Sequence, residues 1–174
     1  MSDLLNMELL DEDKDAQKGR YMTFKSGNEY FAIGIQYVDE IIQFQKITVV
    51  PETADYIKGL INIRGKIVPV IDVSLRFKQP PFEYNERTCI IVINVKSTVV
   101  GLIVERIAEV VTIEEENILP PPSLGRTDKD SNKFVYGIGK VGDSVKLMLD
   151  PDKLLHDEDV NAVDQASTYT EAEE

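Results

Sequence analysis

The sequence predicts a mostly β fold: two similar small β-barrels packed on one another, with few short helices. Two observations carry this. From Tyr21 onward, short runs of branched and aromatic residues alternate with turns containing Gly, Asn, Asp or Pro. The chain also repeats itself. Shifted by 69, residues 21–51 lie over 90–120 without a gap, so that Val38-Asp39-Glu40-Ile41-Ile42 meets Ile107-Ala108-Glu109-Val110-Val111. After a polar loop the shift becomes 78, and Gly59, Ile71 and Asp72 meet Gly137, Leu149 and Asp150.

The elements follow in order. Tyr21–Lys25 and Glu29–Ile35 form a hairpin turning at Ser26-Gly27-Asn28. A kink near Gln36-Tyr37 precedes a strand at Asp39–Gln45, and Pro51–Asp55 suits one helical turn. The run from Gly59 to Asp72 is a second hairpin, with Asn62 and Gly65 of the tetrad Asn62-Ile63-Arg64-Gly65 as the residues that tolerate positive φ. Pro69 inside its second arm predicts an edge or a bulge, because proline cannot donate to a ladder. Asp72 caps a short helix at Val73–Phe77, and Pro80-Pro81 marks an internal boundary. Strands resume at Thr88–Val95 and Thr98–Val111, and Thr112-Ile113-Glu114-Glu115 fits a capping box. After the loop from Pro120 to Asn132, a last hairpin turns at Val141-Gly142-Asp143. Asp150-Pro151 then opens a closing helix.

Charge divides the chain differently. Residues 1–17 hold six acids and one lysine, a net −5; residues 156–174 hold seven acids and no lysine or arginine, a net −7. The 18–155 body is neutral, with 18 acids and 18 bases. Residues 1–17 therefore read as a flexible acidic leader and 156–174 as a disordered acidic tail. A neutral body argues against a nucleic-acid grip, which needs a basic face. No apolar run is long enough for direct membrane insertion, and the N-terminus lacks the layout of a secretory signal, so a cytoplasmic protein is expected.

Little in the sequence points to catalysis. The single cysteine, Cys89, excludes a disulfide within the chain and reads as a small buried hydrophobe. The single histidine, His156, stands at the edge of the acidic tail, so no Cys/His zinc cluster is available. Gly59 to Lys66 imitates a P-loop, but the glycine spacing is wrong and a strand follows. The acidic runs at Asp11 and Asp128 lack the glycine and the last glutamate of a calcium loop. The expectation is no enzyme, no catalytic residue, no cofactor and no metal.

The motif Gly59-Leu60-Ile61-Asn62-Ile63-Arg64-Gly65-Lys66-Ile67-Val68-Pro69-Val70-Ile71-Asp72 resembles the signature of the CheW family of bacterial chemotaxis coupling proteins. Val38–Ile42, Val49-Val50-Pro51 and Leu147–Asp150 extend the resemblance over roughly 18–155. It implies two SH3-like five-stranded barrels, with a boundary near 80 and strands that can exchange between them. It also implies a non-enzymatic adaptor joining the cytoplasmic tips of transmembrane, methyl-accepting chemoreceptors to the regulatory domain of the histidine kinase CheA, recruited to receptor arrays at the inner face of the membrane. In the family, the residues matching Glu40 and Arg64 are linked to each other and to coupling, and Val38 and Gly59 match contact positions. Ile41, Asn62 and Val104 complete the expected contact set. Glu40 and Arg64 are expected to pair across neighbouring strands; the alternative is that Arg64 is a solvated turn residue. Val38, Ile41 and Val104 equally suit a core. Two other functions stay open: a scaffold in another chemosensory pathway, and a barrel that binds single-stranded nucleic acid.

Overall fold

A computed structural model describes residues 18–121 and 134–154. The order is β1 (Arg20–Ser26), β2 (Glu29–Gly34), a 3-10 turn (Ile35–Tyr37), β3 (Val38–Gln43), β4 (Ile57–Ile63), β5 (Lys66–Asp72) and α1 (Val73–Arg76). Then follow β6 (Cys89–Val95), β7 (Thr98–Val104), β8 (Arg106–Thr112), a 3-10 turn (Glu115–Asn117), β9 (Ile118–Leu119), β10 (Val135–Val141), β11 (Ser144–Leu149) and a 3-10 turn (Pro151–Lys153). The strands make two sheets, β8-β1-β2-β11-β10-β9 and β3-β6-β7-β5-β4. Each is an SH3-like barrel. The six-stranded count comes from the two-residue β9, whose counterpart in the five-stranded barrel is the single bridge between Thr48 and Leu60.

The repeat is present in the register. In the five-stranded barrel β5 runs parallel to β7 with Val70 opposite Gly101; in the six-stranded barrel β11 runs parallel to β2 with Met148 opposite Ala32, the same pair after both shifts. The irregularity between Ile57 and Gly59 recurs between Val135 and Gly137. Neither barrel is a contiguous stretch of chain. Each takes two strands from one copy and the remainder from the other, so Pro80-Pro81 separates the copies but not the sheets.

Alternation along the strands sorts the core. Phe24, Phe31, Ile33, Ile91, Ile93 and Leu102 pack between the sheets. Ile61, Val68, Val70, Ile90, Val92 and Ile103 belong to the five-stranded sheet alone and fill its interior. Phe44, Phe82 and Tyr84 pack against that filling. Where the two repeats meet, the Arg76 guanidinium lies 4.7 Å from the centre of the Tyr56 ring and 4.2 Å from that of Phe134. Its Nε donates to the Leu154 carbonyl. Tyr56 and Phe134 are repeat equivalents, as are Arg76 and Leu154.

Several expectations need correction. The Thr98–Val111 strand is broken at Glu105, because β7 lies in one sheet and β8 pairs with β1 of the other. The Glu105 carboxylate accepts the Gly27 N–H at 3.0 Å at that crossing. The capping box does not form: Thr112 ends β8, and the 3-10 turn that follows has no side-chain cap. Pro51–Asp55 makes turns rather than a helix. Pro69 sits in an interior strand opposite Leu60. Leu60 spends both backbone groups on Thr48, at 2.8 Å each. The Leu60–Pro69 pair therefore asks nothing of the missing N–H, and pairing with β7 starts only at Val70. Cys89 is half-buried, at the start of β6. The leader, the tail, His156 and most of the loop after Pro120 lie outside the described residues.

Candidate functional site

The β4–β5 hairpin turns on two residues, Arg64 (φ 49°) and Gly65 (φ 85°). Both are left-handed, the pairing that matches strand twist in a two-residue hairpin. Asn62 is thus not the positive-φ residue. It ends up in β4, where its Oδ1 accepts the Gly65 N–H at 2.8 Å and braces the turn. A strained backbone at Arg64 is the consequence, since a side chain in this region costs roughly 1–2 kcal/mol.

From that tip the Arg64 Nη2 donates to Glu40 Oε1 at 2.8 Å, with side chains 75% and 20% exposed respectively. β3 and β4 are not the neighbouring strands that the sequence leads one to expect; they are the two opposite edges of the five-stranded sheet. The ion pair therefore spans the seam where the sheet curls onto itself. Two further contacts follow it: Gln45 Nε2 to the Asn62 carbonyl at 3.4 Å, and the reciprocal Thr48–Leu60 bridge. Gly59 makes this closure possible. A Cβ there would lie 2.0 Å from the Thr48 carbonyl oxygen, and its φ is +146°. Asp39, at the β3 bulge, stands near Lys66 of the same tip. Partial burial pushes its carboxyl above the ordinary 3.8, opposed by Lys66 and assisted by Glu40.

The expected contact set divides. Glu40, Asn62 and Arg64 meet at the seam. Ile41, 39% exposed, faces outward beside them, and Val38 is half-buried against the inter-barrel core. Val104 is fully buried, and Gly59 is buried under Thr48; neither offers surface. Sequence reasoning passed over Gln45, Thr48 and Lys66. Only their place opposite the hairpin makes them members, and no motif marks them. It also passed over Val110, exposed at 44% on β8, although the repeat sets it on Ile41. Among the described residues no group of three His, Cys, Asp or Glu could hold a metal ion, and no helix is long and apolar enough to cross a membrane.

A doubled barrel whose most distinctive polar feature is an ion pair across a closure seam is an interaction module in class. Comparison with known proteins gives the family. A model described as the CheW-like domain matches residues 20–159. The chain is 35% identical to the chemotaxis protein CheW of Klebsiella aerogenes, with 84% of this chain and 87% of that protein covered. It is 30% identical to CheW of Helicobacter pylori, covering 85% and 94% respectively. The scaffolding protein TtCheW from Thermoanaerobacter tengcongensis superposes with a TM-score of 0.74 at 32% identity, over 81% of this chain and 94% of that one. The chain belongs to the CheW family. It is a non-enzymatic scaffold of chemotaxis signalling.

Proposed function

We propose that the chain couples chemoreceptors to the kinase CheA through the seam of the five-stranded barrel, and that it works within receptor arrays at the inner face of the membrane. The receptor offers a helical cytoplasmic tip and the kinase offers its regulatory domain. The single observation behind this reading is the Arg64–Glu40 pair. One carboxylate holds a guanidinium that remains three-quarters exposed. Arg64 therefore keeps donors free for a partner's carboxylate or backbone carbonyl while its position is fixed. Ile41 adds an apolar contact one residue along, on an edge strand with backbone groups to spare. Gly59 and Val104 act indirectly, by holding β4 and β7 in place under that surface.

The test is a pull-down from native cell extract with wild type and Arg64→Glu. Wild type should recover receptor and kinase, and the variant should lose at least one of them while keeping its fold. Recovery of neither by the wild type would overturn the reading.

A further inference from the structure

The two barrels differ inside. At the position of Val68 in the five-stranded barrel, the six-stranded barrel has Lys146; at Val99 it has Tyr30, and at Asn94 it has Lys25. These residues form a row across four strands. Arg106 pairs with Lys25, Lys25 pairs with Tyr30, and Lys146 lies next to Tyr30 because Leu147 is opposite Phe31. The Lys146 ammonium stands 4.4 Å from the centre of the Tyr30 ring. The Arg106 guanidinium donates to the Tyr30 hydroxyl at 2.5 Å. Lys25 lies 3.9 Å from Glu105, whose other oxygen accepts the Gly27 N–H.

Two cations thus meet at one phenol ring, Lys146 over its face and Arg106 at its hydroxyl, and Lys25 follows in the same row with Glu105 as its partner. Lys146 is 6% exposed, and the Tyr30 ring face is its sole partner among the described residues. Its nitrogen is nonetheless not sealed off, since among the described residues no fully buried side-chain nitrogen or oxygen lacks a hydrogen-bond partner. A largely buried ammonium that no carboxylate of the described residues neutralises, with donors still accessible, is suited to receive an anion. We propose that this mouth of the six-stranded barrel is a carboxylate-binding site whose occupant is the chain's own C-terminal segment, residues 156–174.

Charge and reach select that occupant. The body is neutral, and the C-terminal segment carries seven acids and no lysine or arginine. The N-terminal segment is less acidic, contains Lys14, and leads directly into Lys18 and Arg20. Residues after Leu154 can extend roughly 60 Å at about 3.3 Å each, against about 23 Å for a seven-residue strand. The tail therefore reaches either end of the barrel. Occupied, the site would place a negatively charged segment beside β8, the edge strand that presents Val110.

The experiment uses the isotope-labelled full chain carrying Cys89→Ser and a nitroxide attached at Ala162→Cys. At low salt the amides of Tyr30, Lys146 and the adjacent Gly139 should broaden. Their intensity should return at about 0.5 M salt, where screening acts within about 4 Å. It should also return in Lys146→Met combined with Arg106→Gln. Lys146→Met keeps the stem and matches the apolar residue that the other barrel tolerates at this place. Broadening that is absent, falls on other strands, or survives both salt and charge removal overturns the proposal, as does a nitroxide at Asn6→Cys that broadens the same amides more strongly. Should the double variant lose its amide dispersion, the salt series on the unaltered row decides.

Discussion

The five-stranded and six-stranded barrels share strand order, register and bulge positions, yet they fill their interiors differently. The first is packed with Ile61, Val68, Val70, Ile90, Val92 and Ile103. At the same places the second has Gly139, Lys146, Met148, Tyr21, Thr23 and Gly34. Thr23 shows how a polar residue is accommodated. It falls at the β1–β8 irregularity, where its hydroxyl accepts the Glu109 N–H at 3.0 Å and donates to the Glu109 carbonyl at 2.8 Å. Its counterpart Val92 has no such group, and there Glu40 pairs directly with Val92. The fold therefore requires the alternation and the closure, while the filling of each barrel is free to diverge. The first copy alone carries an arginine at its hairpin tip; the second has Gly142 (φ 58°) in that turn and no guanidinium.

Exchanging the filling breaks the comparison most severely. Val68→Lys places an unpaired ammonium in an apolar interior and should cost about 3–5 kcal/mol in a urea titration. Lys146→Val should cost far less, or nothing at high salt where the acidic segment is screened off, because it removes a largely buried charge whose sole partner among the described residues is the Tyr30 ring. Equal losses from the two changes would mean that the interiors are not alternatives at one site.

The closure glycines come next. Gly59→Ala sets a Cβ against the Thr48 backbone at a positive φ, and should cost about 2–3 kcal/mol. Gly137→Ala meets the Ile118 side chain at 2.8 Å and the Leu119 carbonyl at 3.0 Å, without a positive φ, so its loss of melting temperature should be smaller.

The seam ion pair is a smaller matter for stability. A double-mutant cycle with Glu40→Gln and Arg64→Gln should give a coupling of about 0.5 kcal/mol, since Arg64 is mostly exposed and solvent screens the pair. Binding in the pull-down should fall far more than stability. A coupling energy of several kcal/mol would make Arg64 a structural residue first.

Asp39→Asn should have the smallest effect, and it is stabilising. The raised pKa means that the folded state resists ionisation of Asp39. The group's contribution is fully present below its ordinary 3.8 and is lost as pH rises through the higher folded value. The variant should therefore melt slightly higher than wild type at neutral pH, and the gain should vanish in acid.

Much of this was legible in residue order. The turns at Gly27 and Gly142, the caps at Asp72 and Asp150, and the doubled pattern all rest on local chemistry, and each is present. Asp72 accepts from Ser74 N at 2.9 Å, and Asp150 from Asp152 N at 3.0 Å. What failed locally failed for one reason. Thr112-Ile113-Glu114-Glu115 has the letters of a capping box, but β8 needs Thr112 opposite Arg20. Asn62 is the better left-handed residue, but the strand register hands that conformation to Arg64.

Residue order by itself determined the strand set and the repeat, because alternation, turn chemistry and caps act over a few neighbours; the Glu40–Arg64 pair was suggested by the family resemblance. Tertiary structure alone decided which strands share a barrel, that Glu40 and Arg64 close a seam rather than bridge adjacent strands, and that Lys146 faces the inside of a barrel. Those outcomes depend on how the two repeats within the chain exchange strands, and such pairing energy is summed over contacts far apart in sequence.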